Sequence, residues 1–161
     1  MVFFVFGLFG AYVKQNMPIE YTRVDSRSGK ITTSFYFSTV ASSLFFPYAQ
    51  MFYVKVEGTM RVIKVLPANI YDLLIPRALA FWIMDDGQYV ARGGLTLCTD
   101  NFTLSEVNVL KEVLERKFDL TCTLHNKKGN KRIYISGRSL PKLRKLVAPH
   151  MHTMFLYKLD K

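Results

Sequence analysis

Along this chain apolar residues come in runs whose spacing shifts between that of strands and that of helices. Met1–Val13 (MVFFVFGLFGAYV) is apolar almost throughout. It falls short of the roughly 20 residues a membrane-spanning helix needs, and it reads as a helix buried against the rest of the domain. Ile19–Val24 and Ile31–Thr39 predict two strands around the polar turn Asp25-Ser26-Arg27-Ser28-Gly29-Lys30. Leu44–Val54 predicts an apolar helix with Pro47 in its first turn, where the ring is tolerated. Val62–Tyr71, interrupted by Pro67, reads as a connector. Arg77–Asp86 follows Pro76 and predicts a helix that stays apolar until Asp85-Asp86-Gly87; Gly94–Cys98 then predicts a strand.

The capping-box sequence Thr103-Leu104-Ser105-Glu106 opens the next helix. Its apolar stripe is Val107, Leu110, Val113 and Leu114. A second hairpin pairs Leu120–His125 with Lys131–Ser136 around Asn126-Lys127-Lys128-Gly129-Asn130. Ser139 is the expected cap of a helix through Val147, Pro149 ends it, and an apolar tail spans Met154–Leu159.

The two hairpin-plus-helix units repeat. Gly29 and Gly129 are 100 residues apart, and the serines that close the second strands, Ser38 and Ser136, are 98 apart. Such an internal repeat predicts an α+β fold with two equivalent halves related by a pseudo-twofold axis. A chain of 161 residues suits a single domain, divided as 1–75 (first repeat and connector) and 76–161 (second repeat).

Charge adds direction to this picture. Of 22 Lys/Arg and 12 Asp/Glu, residues 1–87 hold 8 and 6, whereas residues 88–161 hold 14 and 6. No acid occurs between Leu120 and Leu159. Segregated positive charge of this kind points to a polyanion, and so to nucleic acid. Cys98 and Cys122 lack metal-ligand spacing, and His125, His150 and His152 complete no quartet with them, so the histidines read as structural or phosphate-facing. Two carboxylates at the C-terminal end of an apolar helix oppose its dipole and ask for a cation.

Leu79-Ala80-Phe81-Trp82-Ile83-Met84-Asp85-Asp86-Gly87 resembles the motif that names the LAGLIDADG homing endonucleases and intron maturases. The blocks PRALAFWIMDDG, GLTLCTDNFTLSEV, KRIYISGRSLPKLRKLV and PHMHTMFLYKL resemble the subclass encoded in organellar introns, in the same order. The resemblance implies the homing-endonuclease fold of αββα-type repeats, with paired central helices that each end in a metal-binding carboxylate. That role maps onto Asp86, as catalytic residue and Mg2+ ligand; Met84 stands where the motif has its first Asp, and Asp85 where it has a small residue. Gly87 precedes Gly129 by 42 residues, so a first motif at the same spacing from Gly29 would fall before Met1. The expectation is a first repeat truncated at its N-terminus and a half-site that cleaves slowly or not at all.

The resemblance also implies a curved saddle of hairpins over nucleic acid. Its phosphate contacts would be Arg27 and Lys30 on the first hairpin, Lys127, Lys128, Lys131 and Arg132 on the second, and Arg138, Lys142, Arg144 and Lys145 around the following helix. Tyr36 or Tyr134 could stack on unpaired bases, a mode suited to RNA. Three readings stay open. The first is a non-catalytic binder of intron RNA or of a ribonucleoprotein such as an organellar ribosome, with RNA favoured over DNA. The second is an endonuclease completed by a second polypeptide or a second copy, and the third a decaying reading frame. The subclass implies a mitochondrial or other organellar setting, and no membrane partner is expected.

Overall fold

The computed structural model describes residues 1–91, 93–127 and 129–159. The helices are α1 (Val2–Phe9), α2 (Phe46–Phe52), α3 (Ile70–Leu73), α4 (Pro76–Asp86), α5 (Leu104–Phe118) and α6 (Leu140–Val147). The strands are β1 (Ile19–Val24), β2 (Ile31–Tyr36), β3 (Tyr53–Lys55), β4 (Val62–Lys64), β5 (Gly87–Tyr89), β6 (Leu95–Leu97), β7 (Cys122–Lys127) and β8 (Asn130–Ile135). They form two compact units, Met1–Ala49 and Gln50–Lys161. The repeat boundary read from the sequence, at residue 75, falls inside the second unit just ahead of α4.

In the first unit β1 and β2 pair antiparallel from Ile19↔Tyr36 to Val24↔Ile31. Phe3 of α1 meets Phe35 with ring centroids 5.2 Å apart, and Phe6 meets Phe37 at 5.5 Å. The expected burial of α1 is not met, for none of its residues is buried. An eight-residue helix laid on a two-stranded ribbon has only one covered side.

In the second unit β5, β6, β8 and β7 lie side by side in that order, all antiparallel. The register sorts side chains strictly by face, as the two-residue period of a strand requires. Gly87, Leu97, Ile133 and Leu124 form one row across the sheet; Tyr89, Leu95, Ile135 and Cys122 form the next on the same face. Leu95, Leu97, Ile133 and Ile135 are fully buried there, under a layer built from α4, α5 and α6. Leu79 and Ile83 of α4, Leu114 of α5 and Leu143 and Val147 of α6 complete this core.

Local chemistry explains most boundaries. The Thr103 hydroxyl accepts the Glu106 N–H at 3.3 Å while the Glu106 carboxylate accepts the Thr103 N–H at 2.8 Å, so the capping box is formed. The other Glu106 oxygen accepts the Leu66 N–H at 2.8 Å, tying the segment before α3 to α5. Burial pushes the Glu106 carboxyl up, but its bonds to the Thr103 hydroxyl, the Thr103 N–H and the Leu66 N–H outweigh this and hold it below its ordinary value.

Three expectations are corrected. The predicted helix Leu44–Val54 stops at Phe52, and Val62–Tyr71 is not mere connector. Its first residues pair as β4 with β3, because Val56 and Arg61 close a turn through a 2.9 Å backbone bond and set the β-branched Val54 and Ile63 opposite one another. Ser139 does not cap α6 with its side chain; its hydroxyl instead accepts the Thr121 N–H at 2.9 Å, joining α6 to the start of β7.

Replacing Leu143 by Ala should lower stability by about 2–5 kcal/mol, the range for emptying a filled core site, and Thr103→Ala by about 1 kcal/mol. Urea denaturation checks both. The Glu106 contribution should be complete above the ordinary carboxylate range and vanish as pH falls through the lowered folded value. The stability gap between the native protein and Glu106→Gln should therefore shrink between about pH 6 and about pH 3; a constant gap would contradict it.

Candidate functional site

Helix α4 runs into the sheet without a break. Gly87 is extended (φ −74°, ψ 134°), so the chain passes straight from the helix into β5. Glycine is required there for space, since a Cβ would lie 2.5 Å from the Ile83 carbonyl oxygen. The Cys98 N–H donates to the Asp86 carbonyl at 3.1 Å, fastening the helix end to the strand beside it.

The last carbonyls of α4 are met by a residue that the sequence did not single out. Lys158, in a 3-10 turn at Thr153–Leu159, is buried to 7% exposure. Its ammonium donates to the carbonyls of Met84 (2.6 Å), Ile83 (3.1 Å) and Asp85 (3.5 Å). A cation at the negative end of a helix is favourable. Burial pulls the Lys158 pKa down, against the opposing pull of Asp85, Asp86 and the Cys98 thiol. Asp85 and Asp86 are themselves exposed. They line a recess of about 510 Å3 with Gln88, Tyr89, Cys98 and Lys158. The Lys158 donors are taken up by the helix carbonyls, which leaves the exposed Asp86 carboxylate as an oxygen donor that a hard cation can take.

The uncovered face of that sheet is polar. Gln88, Thr96, Tyr134 and Thr123 form a row across all four strands; Arg132 with His125, then Asn130 with Lys127, continue it along the β7–β8 hairpin. Arg132 is clamped by Asp100 through its Nε at 2.8 Å and through a second guanidinium nitrogen, and it reaches Gln88 at 3.4 Å. The bond to Arg132 holds the Asp100 carboxyl below its usual range. In the first unit Tyr21, Arg23, Thr32 and Ser34 make a comparable polar face on β1 and β2.

The predicted phosphate contacts are thus only partly brought together. Lys127 is exposed on the open face and Arg132 lies on it half-buried, whereas Lys131 falls on the opposite face, in register with Asn126. Lys128 lies outside the described residues. Arg27 and Lys30 are exposed at the first turn, where the Asp25 carboxylate accepts the N–H groups of Arg27 (2.9 Å) and Ser28 (2.8 Å).

Arg138 and Lys145 are exposed, but α6 belongs to the layer on the covered side of the sheet. Lys142 is paired with Asp119, and Arg144 donates to the Leu159 carbonyl at 2.6 Å. The α6 cations thus stand apart from the hairpin, on a helix packed against α4. The alternation of Cys122, Leu124 with Thr123, His125 was the signal that could have separated the faces of the hairpin. His152 gives its N–H to the Met84 sulfur at 3.3 Å.

Residues 1–143 match the model of the LAGLIDADG DNA endonuclease family. The chain belongs to that family. This LAGLIDADG chain is 36% identical over 150 residues to the cytochrome b mRNA maturase bI2 of Debaryomyces hansenii, covering 92% of itself and 54% of that relative. It is 41% identical over 112 residues to the intron-encoded endonuclease ai4 of Dictyostelium discoideum, covering 68% of itself and 67% of that protein. It spans 35% of the bI2 maturase of Saccharomyces cerevisiae, at 34% identity. The solved structure of the homing endonuclease I-WcaI bound to its DNA recognition sequence superposes with a TM-score of 0.84 at 26% identity, over 97% of this chain and 69% of that one. The fold is the LAGLIDADG homing-endonuclease fold.

Replacing Lys158 by Met would strip the end of the LAGLIDADG helix of its ammonium and leave three carbonyls short of a donor. The expected loss is about 1–3 kcal/mol by urea denaturation, whereas the exposed Lys145→Met should change stability by less than about 0.5 kcal/mol.

Proposed function

We propose that this LAGLIDADG-family chain binds nucleic acid on the open sheet face, that RNA is its working partner, and that its 161 residues carry half of a cleavage site. The observation behind this is the row Gln88–Thr96–Tyr134–Thr123, flanked by Arg132 and Lys127 and bordered by the Asp86–Lys158 recess. Side chains with donors and acceptors on a pleated surface can read base edges, and Lys127 can meet phosphate. Two of the relatives are named for maturation of an mRNA, which supports intron RNA, or a ribonucleoprotein built on it, as the partner. The same relatives support an organellar, mitochondrial setting.

The family resemblance implies Mg2+ at the end of α4. Asp86 is an exposed hard oxygen donor of the type Mg2+ takes. No cluster of three or more His, Cys, Asp or Glu occurs among the described residues. The fit is to one side of a site: Asp86 would hold the ion there, and a second carboxylate has to come from elsewhere. When bound, such an ion polarises a phosphoryl oxygen. Asp86 positions it, and Lys158 fixes Asp86 by holding the helix end.

A second reading has its own support. Ala78, Trp82, Asp85 and Asp86 line an apolar recess of about 300 Å3 with Phe102 and Leu74. That is room for a side chain or two of a partner docked against α4, and a second polypeptide or another copy supplying a carboxylate would make an endonuclease of the whole.

The purified chain with Mg2+ should make no specific double-strand breaks in DNA; cleavage by a verified monomer would overturn the half-site reading. Binding to RNA should weaken with salt, and Lys127→Ala should reduce the log–log slope by roughly 0.7 for single strands or 0.9 for duplex DNA. Lys55→Ala, in the nearly charge-balanced half, should leave the slope unchanged. Equal changes from both would mean that net charge, and not the open face, drives association.

A further inference from the structure

The open face carries one feature that neither phosphate contact nor base-edge reading uses. The imidazole of His125 lies flat against the phenol ring of Tyr134, centroids 4.7 Å apart and planes 13° from parallel. The two are not direct cross-strand partners: Tyr134 stands opposite Thr123, and His125 opposite Arg132. The stack is diagonal, a separation aromatic side chains can bridge. Thr123 Oγ1 and His125 Nε2 are hydrogen-bonded at 3.1 Å, which restrains the rotation of the imidazole.

His125 is exposed and Tyr134 half-buried, so the stack is reachable from solvent, with one face of the imidazole against the tyrosine. Lys127 follows two residues later on the same face of β7 and is also exposed. Two residues of strand span about 6.8 Å, close to twice the thickness of an aromatic ring. A flat ring laid on His125 therefore fits between the imidazole and the Lys127 stem, with the ammonium beside its phosphate. A base inside a duplex has both faces occupied by its neighbours and cannot enter. An unpaired base offers a free face.

We infer that the His125–Tyr134 stack is a platform for one unpaired nucleobase and directs the protein to a bulged or single-stranded position in RNA. This rests on the nucleic-acid reading of the open face and adds to it the class of site recognised.

The test uses an RNA hairpin with a single bulged 2-aminopurine and the same hairpin without the bulge, titrated with the full chain. The expected results are tighter binding of the bulged RNA, quenching of the 2-aminopurine on binding, and about a tenfold loss of bulged-RNA affinity in His125→Ala. Binding of the fully paired hairpin should change less than about twofold, since stacking on a single base is what the substitution removes. His125→Phe should restore affinity and quenching, and His125→Lys should not. Equal losses on both RNAs, or rescue by Lys and not by Phe, would overturn the platform in favour of simple charge. If the native chain binds both hairpins alike and His125→Ala changes neither, the platform falls and nucleic-acid binding stands. If it binds neither, both fall together.

Discussion

The second unit is organised around a buried cation, Lys158. Helix α4 ends in two carboxylates, at the end where its own dipole is negative. The Lys158 ammonium occupies that place, taking the carbonyls of Ile83, Met84 and Asp85. Because Lys158 comes from the far end of the chain, the tail is held against the helix by the charge the helix needs. Breaking one partner of such a buried arrangement costs more than forming it gains. The helix end, the tail and the strand entered through Gly87 are therefore positioned as one piece.

The sheet that follows divides its work by face. Leu95, Leu97, Ile133 and Ile135 are buried under the helices, and burial of such side chains is worth about 1.5–3 kcal/mol each. The strands therefore resist a one-residue slip, which would turn every aliphatic outward. The same constraint holds Gln88, Thr96, Thr123, His125, Arg132 and Tyr134 on the open face. The face proposed to bind nucleic acid is thus kept in register by the side chains of the opposite face.

Much of this was legible from residue order. The capping box at Thr103 and Glu106, the hairpins around Gly29 and Gly129, and the helix ending in Asp85-Asp86-Gly87 rest on contacts between near neighbours, and each is present. What residue order hid most fully involved distant partners. Ser139 looks like a helix cap until Thr121 is found to use its hydroxyl. The partners of Lys142 and Arg144, Asp119 and the Leu159 carbonyl, are likewise invisible in residue order.

The sequence by itself determined the family motif, the α+β character, the repeated hairpin and the concentration of positive charge in the second half. These follow from periodicity, turn chemistry and composition, which act over a few residues or over the chain as a sum. Tertiary structure alone decided which cations share a surface, that Lys158 rather than a neighbouring residue completes α4, and that His125 lies on Tyr134. Those outcomes depend on strand register and on the order β5-β6-β8-β7. Both are selected by burial of the whole covered face at once, and no local stretch of residues encodes that sum.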